Sequence, residues 1–539
     1  MQIQLTETES HVCKLLDGCT KYLAAEKGIN TSCRVAGGWV RDKLLAVESH
    51  DIDIALSDMM GVPFAEHLRD YALSNGIETG HITKIEQNPD QSKHLETATL
   101  KVFGLDIDLV NLRSEEYTEG SRIPSGIAFG TPLEDALRRD ITINALFYNV
   151  HSGQVEDFTE RGLDDLRNGI IRTPLPPRET FLDDPLRVLR CVRFASRLGF
   201  EVIEDVKEAA RDPVVKRALI EKVSRERVGD EVTKMIQGRD PLRSAQLIGE
   251  LDLYHPIFSV IPEIAKAGIP KEFFQAAPQE GLAAVSILHT VTSPDGSDLV
   301  RPHSDLVTPL RKDHGAVARL YLAALLLPWK QFTHVDSKKK TQSTVAAVIR
   351  ESLKLGTQNH YLDGVPALFD GIQTLKDGLR KFTRENIQRA PLGVLLRNKS
   401  VHNPLTGNQW TTSLLFSMVT DLVPHYRVNE NAFDEQATKV IQQYTAFTKR
   451  VIELGLQNDV DSKPVVNGKE IVAAFGVSRV GPWVGKVLED VVEWQLQNPD
   501  KHKEDCIEWL RARGVDYYVS VNERRDETPA KRPRKTERG

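Results

Sequence analysis

The chain is 539 residues long, 40% hydrophobic and 27% charged, with a net charge of −6. That length is too great for one core, so several domains are expected, and the composition is that of a soluble globular protein. No apolar run approaches the roughly 18 residues of a membrane helix, no secretory signal opens the chain, and the negative balance requires any nucleic-acid-binding surface to be a local patch.

The five cysteines (Cys13, Cys19, Cys33, Cys191, Cys506) are scattered and form no CxxC pair. This predicts a reducing compartment and argues against a zinc site. Residues 1–30 read as one amphipathic helix, with Val12, Leu15, Leu16, Cys19 and Leu23 at helical spacing. A short strand, Cys33 to Ala36, then meets Gly37 and Gly38, whose turn lets backbone N–H groups approach a ligand. Trp39 to Ala46 reads as a helix starting at that turn, where a phosphate is the expected anion. In the strand that follows, Asp51, Asp53 and Ala55 share one face and Ile52, Ile54 and Leu56 the other. Two carboxylates side by side repel unless a divalent cation lies between them.

A helix is expected near Pro63 to Ser74, and residues 100–111 read as a single strand. Its apolar face would be Phe103, Leu105, Ile107 and Leu109, and its other face Gly104, Asp106 and Asp108. Either aspartate is placed to join Asp51 and Asp53. Residues 114–134, rich in Ser, Gly, Pro and Glu, read as a long loop. A helix from Leu133 to Arg139 leads into Arg138-Arg-Asp-Ile-Thr-Ile-Asn-Ala-Leu146, followed by strands at Phe147–Val150 and Gln154–Phe158.

From Asp183 to about residue 515 the pattern is helical, with breaks near 292–304, 355–365, 400–411 and 456–468. The helix expected at Asp183-Asp-Pro-Leu-Arg187 carries Arg187, Arg190, Arg193 and Arg197 on one side and Val188, Leu189, Val192 and Ala195 on the other. Like charges three apart weaken a helix, so this row needs partners. They are either acids along a solvated face or the phosphates and base of a ligand. Asp184 and Arg187, one turn apart, suit a base edge: a carboxylate only accepts hydrogen bonds and a guanidinium only donates them. Cytosine and adenine each offer the complementary donor and acceptor; uracil and guanine clash at both.

On these stretches the chain resembles the eukaryotic, fungal-like class II tRNA nucleotidyltransferases, the CCA-adding enzymes of the DNA polymerase beta superfamily. Val35–Asp42 with Asp51-Ile-Asp-Ile54 is similar to that family's metal and phosphate motif, and Arg138–Leu146 to its ribose motif. Asp164–Pro174 is similar to its hinge, Asp183–Arg187 to its base-reading template, and Ser224–Glu231 to the helix supporting that template. The similarity is looser at Lys463–Glu470 and Gly481–Gly485, and Asp183 stands where many relatives have Glu.

The resemblance implies an α+β fold. A polymerase-beta-like head with a mixed sheet (1–173) would precede an all-α neck (174–240), body (241–400) and tail (401–519), with a disordered basic end (520–539). It implies Mg²⁺ on Asp51 and Asp53, with Asp108 rather than Asp106 as third catalytic carboxylate. It implies that Gly38 and Arg41 contact the triphosphate, that Arg139, Asp140 and Asn144 serve the ribose, that Asp184 and Arg187 read the base, and that Arg190 and Arg193 complete the nucleotide surface. Asp42 is expected to cap or brace the Gly-turn helix, and Glu226 and Arg227 to brace the template by an ion pair. The 114–134 segment would act as a lever resetting the pocket from C to A.

The expected reaction is addition of CCA to tRNA from CTP and ATP, with no membrane and no obligate protein partner. The alternatives are partial CCA addition, poly(A) synthesis or a noncatalytic RNA-binding role. A base pocket suited to both C and A argues against poly(A) synthesis, and the retained carboxylates argue against loss of catalysis. Lys531-Arg-Pro-Arg-Lys535 is similar to a nuclear localisation signal. Cytoplasm and nucleus are expected, with a mitochondrial pool left open.

Overall fold

The computed structural model describes residues 2–49, 51–85, 97–117, 124–293, 301–336, 339–385, 387–477 and 481–514. Contacts divide it into two units: Met1–Pro278 with Phe332–Leu355, and Gln279–Gln331 with Gly356–Gly539. The basic end at 520–539 and its Lys531–Lys535 run lie outside the described residues.

The first helix, α1 (Glu7–Lys27), begins where the Thr6 side chain accepts from the Glu9 amide and Glu9 answers on Thr6, and ends at left-handed Gly28. Its predicted stripe, including Leu16 and Leu23, is fully buried, worth about 1.5–3 kcal/mol per leucine. Then come β1 (Cys33–Ala36), α2 (Gly38–Leu44), β2 (Ile52–Leu56), α3 (Gly61–Ser74), β3 (Thr83–Ile85), β4 (Thr97–Val102) and β5 (Leu105–Asn111). These are followed by β6 (Arg113–Tyr117), β7 (Pro124–Phe129), α4 (Pro132–Leu137), β8 (Phe147–Asn149) and β9 (Gln154–Glu156). Seven strands make one sheet in the order β3-β4-β5-β2-β1-β8-β9. The β2–β5 pair is parallel and the others antiparallel, so the sheet is mixed as expected. Ala55 does not extend the open acidic face of β2. It is buried in a small core with Ala36, Leu112, Ala136, Ala145 and Phe147.

Two expectations in this region are corrected. Residues 100–111 are not one strand but a hairpin, because Phe103 (φ 51°) and Gly104 (φ 83°) turn the chain between β4 and β5. Two consecutive positive φ values are the tight hairpin geometry. Phe103 therefore leaves the apolar face and is partly exposed, while Leu100 and Ile107 pair across the turn and are buried. The 114–134 segment is not one long loop: β6 and β7 pair antiparallel and α4 follows, while residues 118–123 lie outside the described residues. Its polar composition hid the pairing, which backbone groups supply.

The chain continues through α5 (Gly162–Asn168), β10 (Ile170–Ile171), α6 (Pro177–Asp183), α7 (Leu186–Leu198), β11 (Glu201–Val202), α8 (Glu204–Arg211), α9 (Pro213–Glu221) and α10 (Arg225–Ile236). The expected helix start at Asp183 is also corrected. Helix α6 already occupies 177–183, Asp184 is extended (φ −134°, ψ 99°), and α7 begins after Pro185. A residue preceding proline is pushed out of helical geometry. Helix α10 is held from below: Arg225 donates to the carbonyls of Ser352 (2.7 Å), Pro256 (3.1 Å) and Ile257. A Cβ on Gly229 would come 1.9 Å from the Leu353 carbonyl oxygen, so only glycine permits this contact. Segment 332–355 thereby joins the first unit.

The second unit is helical, with long helices at Tyr361–Arg384, Trp410–Leu422 and Glu435–Glu453 and a late core around Trp483, Val487 and Trp494. The region after 183 is not purely helical. Small two-stranded pairings occur at β10–β11, at 333–335 with 341–343, and at 426–427 with 432–433. These pairs are two or three residues long, below what period-2 patterning can signal.

Candidate active site

The Gly turn positions the first group of side chains. Gly37 has φ 71° and ψ −125°, and a Cβ there would lie 2.8 Å from Nη1 of Arg139. The Gly37 amide donates to the Leu146 carbonyl (3.0 Å), tying β1 and α2 to the segment after the 3₁₀ turn Thr142–Asn144. Arg41, one turn into α2, is buried and donates to Asn144 Oδ1. Asn144 Nδ2 donates to Asp140 Oδ1 (3.1 Å), and Asp140 Oδ2 accepts from Arg190 Nε (2.7 Å). One chain of polar contacts thus runs from the Gly-turn helix to α7. Burial alone would raise the Asp140 carboxyl, but Arg190 and the Asn144 hydrogen bond outweigh it and hold it below the usual range.

The carboxylates lie on and beside β2 and β5, two neighbouring strands in the middle of the sheet. Parallel pairing of β2 with β5 sets Asp53 opposite Asp108. Asp108 accepts from Thr99 Oγ1 (2.5 Å), whereas Asp106 is largely exposed and 3.7 Å from Lys101. Asp51, Asp53, Asp106 and Asp108 line a cavity of about 550 Å³. The Asp53 carboxyl is pushed up to about 6, first by desolvation among its neighbours and then by the charges of Asp108 and Asp51, with Arg139 opposing. Among the described residues no group of three or more His, Cys, Asp or Glu side chains is placed to hold a metal ion by itself. The donor set is instead strand carboxylates on an open cavity. Such oxygen donors fit a hard divalent ion that keeps water and takes further ligands from a substrate's phosphates.

A second cavity, about 580 Å³, shares Asp53 and holds every other residue singled out above: Gly38, Arg41, Arg139, Asp140, Asn144, Asp184, Arg187, Arg190 and Arg193. Nine arginines and three aspartates are among its lining residues. The arginine row of α7 has found acids and the cavity at once, so the two alternatives for it are not exclusive. Arg190 pairs with Asp140 (2.7 Å), Arg193 with buried Glu231 (2.5 Å) and Arg197 with Asp42 (3.5 Å). Asp42 also pairs with Arg41 (2.7 Å), so it braces arginines rather than capping the helix. Arg139 and Arg138 share buried Asp135, whose burial would raise its carboxyl but whose two guanidiniums lower it overall.

Asp184 and Arg187 both face the cavity, each with a protein partner. Arg227 of α10 pairs with Asp184 (2.7 Å), and Arg187 donates to the Arg138 carbonyl (2.6 Å) and, at 3.4 Å, to that of Thr180. The ion pair expected from the Glu226–Arg227 dipeptide is made by Arg227; Glu226 is exposed. Among the lining residues not expected as site members from the sequence are Arg113, Arg138, Arg197 and Phe194. Arg197 was visible as the last of the arginine row. Phe194 gave no signal, since an apolar residue on a helix reads as core.

Comparison with known proteins gives a consistent result. A family model described as the poly A polymerase head domain matches residues 33–172, and one described as a probable RNA and SrmB-binding site of polymerase A matches 199–267. A mitochondrial CCA tRNA nucleotidyltransferase of Saccharomyces cerevisiae is 36% identical over 528 residues, spanning 95% of this chain and 94% of that protein. A tRNA nucleotidyltransferase of Schizosaccharomyces pombe is 34% identical, spanning 96% and 98%. Among solved structures, the Thermotoga maritima CCA-adding enzyme complexed with tRNA-CCA superposes with a TM-score of 0.54 at 18% identity, covering 95% of this chain and 99% of that one. That likeness bears on the fold.

Proposed function

The chain belongs to the class II CCA-adding tRNA nucleotidyltransferases, and on that premise we propose that it adds CCA to the 3′ end of tRNA from CTP and ATP without a nucleic-acid template. The observation that carries this reading is that Asp53 borders both cavities. An arginine-rich pocket suited to a nucleoside triphosphate thus meets an acidic edge suited to a divalent cation at one residue.

The tRNA 3′-hydroxyl attacks the α-phosphate in line and pyrophosphate leaves. Gly38, Arg41, Arg190 and Arg193 hold the phosphates; Arg139, Asp140 and Asn144 orient the ribose. Asp184 and Arg187 read the base, exchanging their protein contacts for the Watson–Crick edge of cytosine or adenine. A divalent cation is the family's requirement; we assign it as Mg²⁺ on Asp51 and Asp53, with Asp108 as the third carboxylate. When bound there, it supplies activation of the hydroxyl and neutralisation of charge on the leaving pyrophosphate. Selection of tRNA is by shape and backbone, because every tRNA must fit.

Residues 1–173 carry the chemistry and 174–240 the base reading, with 241–400 and 401–519 holding the tRNA. A mitochondrial location is compatible with the name of the S. cerevisiae relative; cytoplasm and nucleus are added on the strength of Lys531–Lys535.

The test is radiolabelled tRNA ending at its discriminator base, incubated with CTP, ATP or both. The reading expects two residues from CTP alone and three from the mixture. No extension, or a long run of A from ATP alone, would overturn it.

A further inference from the structure

The ring of Phe194 is surrounded by guanidiniums. Arg193 lies 4.1 Å from its centroid, Arg41 5.0 Å and Arg190 5.5 Å. Among the described residues no other ring gathers more than one cation in this way. All three arginines and the ring line the same cavity. Arg41 comes from α2, after the Gly turn; Arg190, Arg193 and Phe194 come from α7. We infer that Phe194 is a positioning residue for the nucleotide's phosphate chain, its ring holding Arg41, Arg190 and Arg193 in one cluster that receives the phosphates of CTP and ATP alike. This rests on the nucleotidyltransfer reading above.

The physical argument concerns what else could do this. Three like charges drawn to one place repel, and something negative must lie among them. A further carboxylate would do so, but it would occupy guanidinium N–H donors and oppose the arriving triphosphate with its own charge. An aromatic face attracts cations through its quadrupole while carrying no net charge and accepting no strong hydrogen bond. The acids that do pair with these arginines, Asp42, Asp140 and Glu231, come from three separate elements. The ring is the element all three arginines share. The three arginines it holds are assigned to the phosphates, which CTP and ATP share, so its effect is the same for C and A.

The experiment uses the full-length protein with Phe194→Leu, Phe194→Tyr, and 3,4,5-trifluorophenylalanine incorporated at 194. Leucine removes the π face. Fluorination weakens the quadrupole with little change in shape, and tyrosine keeps the ring. Single-turnover addition of CTP and ATP is measured against nucleotide concentration, alongside thermal melting and calorimetric titration with inorganic tripolyphosphate. Phe194→Leu and the trifluoro ring should raise KM for both nucleotides about tenfold, as loss of such desolvated contacts implies. Maximal rate and KM for tRNA should hold, and Phe194→Tyr should restore wild-type KM. Tripolyphosphate affinity should fall in parallel.

A trifluoro variant with wild-type nucleotide KM would overturn the proposal, as would an effect on melting and tRNA KM without one on tripolyphosphate. If Phe194→Leu does not fold, the trifluoro arm decides. If the wild type adds no nucleotide, the function proposed above fails while tripolyphosphate binding still tests Phe194.

Discussion

The two cavities that share Asp53 are built on opposite electrostatic plans. On the arginine side charges are met by fixed acids: Arg190 by Asp140, Arg193 by Glu231 and Arg197 by Asp42, all distant in sequence, and Arg41 by its neighbour Asp42. On the acidic side, carboxylates face one another across β2 and β5, and Asp53 rises to about 6. A pocket for a polyanion can be assembled in advance because a fixed acid stabilises each arginine without neutralising the whole. A pocket for a cation is left with surplus negative charge, which the cation itself relieves. The difference teaches which side is finished by folding and which by its ligand.

The largest test of that contrast removes the acidic side. Asp51→Ala, Asp53→Ala or Asp108→Ala should each lower nucleotide addition by more than about 10³-fold with tRNA affinity retained, since electrostatic stabilisation of the reacting phosphate depends on them. Single-turnover kinetics and filter binding measure both. Normal turnover by Asp53→Ala would sink the assignment.

Next in size is base selection. The double variant Asp184→Ala with Arg187→Ala should lose C and A efficiency and narrow the gap to UTP and GTP by about 10²-fold or more. A variant slower but equally selective would show that the polarity of this pair does not select.

Stability should then change with opposite sign on the two sides. Glu231→Gln strands the buried Arg193 and should cost about 3–5 kcal/mol in urea unfolding. Asp53→Asn in metal-free buffer should stabilise at pH 7. The folded carboxyl, raised to about 6 from 3.8, resists ionisation, so the penalty is full above about pH 6 and absent below about pH 4. The advantage of Asp53→Asn should fade as pH falls through that window; a loss of stability at pH 7 would contradict the plan drawn above. The smallest expected effect is Asp106→Ala, within about twofold in rate, as for an ordinary surface change. A dead Asp106→Ala beside an active Asp108→Ala would exchange their roles.

Much was legible in the chain because the informative signals are local. The Thr6–Glu9 cap, the β1–Gly–α2 unit, the alternation of Ile52, Asp53 and Ile54, and the arginine row that follows Pro185 each span a few residues. Backbone geometry at that range follows from residue type. Three local features misled. Asp183 closes one helix instead of opening the next, because extended Asp184 and Pro185 separate the two. Phe103 looked like a strand position, though with Gly104 it forms the turn, and aromatics are rare at positive φ. The polar segments 113–117 and 124–129 pair through their backbones, on which side-chain composition is silent.

What the sequence by itself determined, then, is the inventory: three carboxylates, a Gly turn, a row of arginines, and the kind of ligand they suit. What only the tertiary structure decided is the pairing. Arg193 meets Glu231 38 residues away, Asp184 meets Arg227 43 away and Arg190 meets Asp140 50 away. Nothing in the chemistry of one arginine prefers one of these acids to another. That Asp108 rather than Asp106 stands opposite Asp53 is likewise a matter of strand register: the two aspartates share a face of β5, and only the β2–β5 pairing says which of them comes level with Asp53. Phe194 is the extreme case: as a residue it is merely apolar, and only folding makes it the ring on which Arg41, from a distant helix, meets Arg190 and Arg193. Charge and propensity act over a few residues, whereas partnership depends on which surfaces the packed core brings face to face.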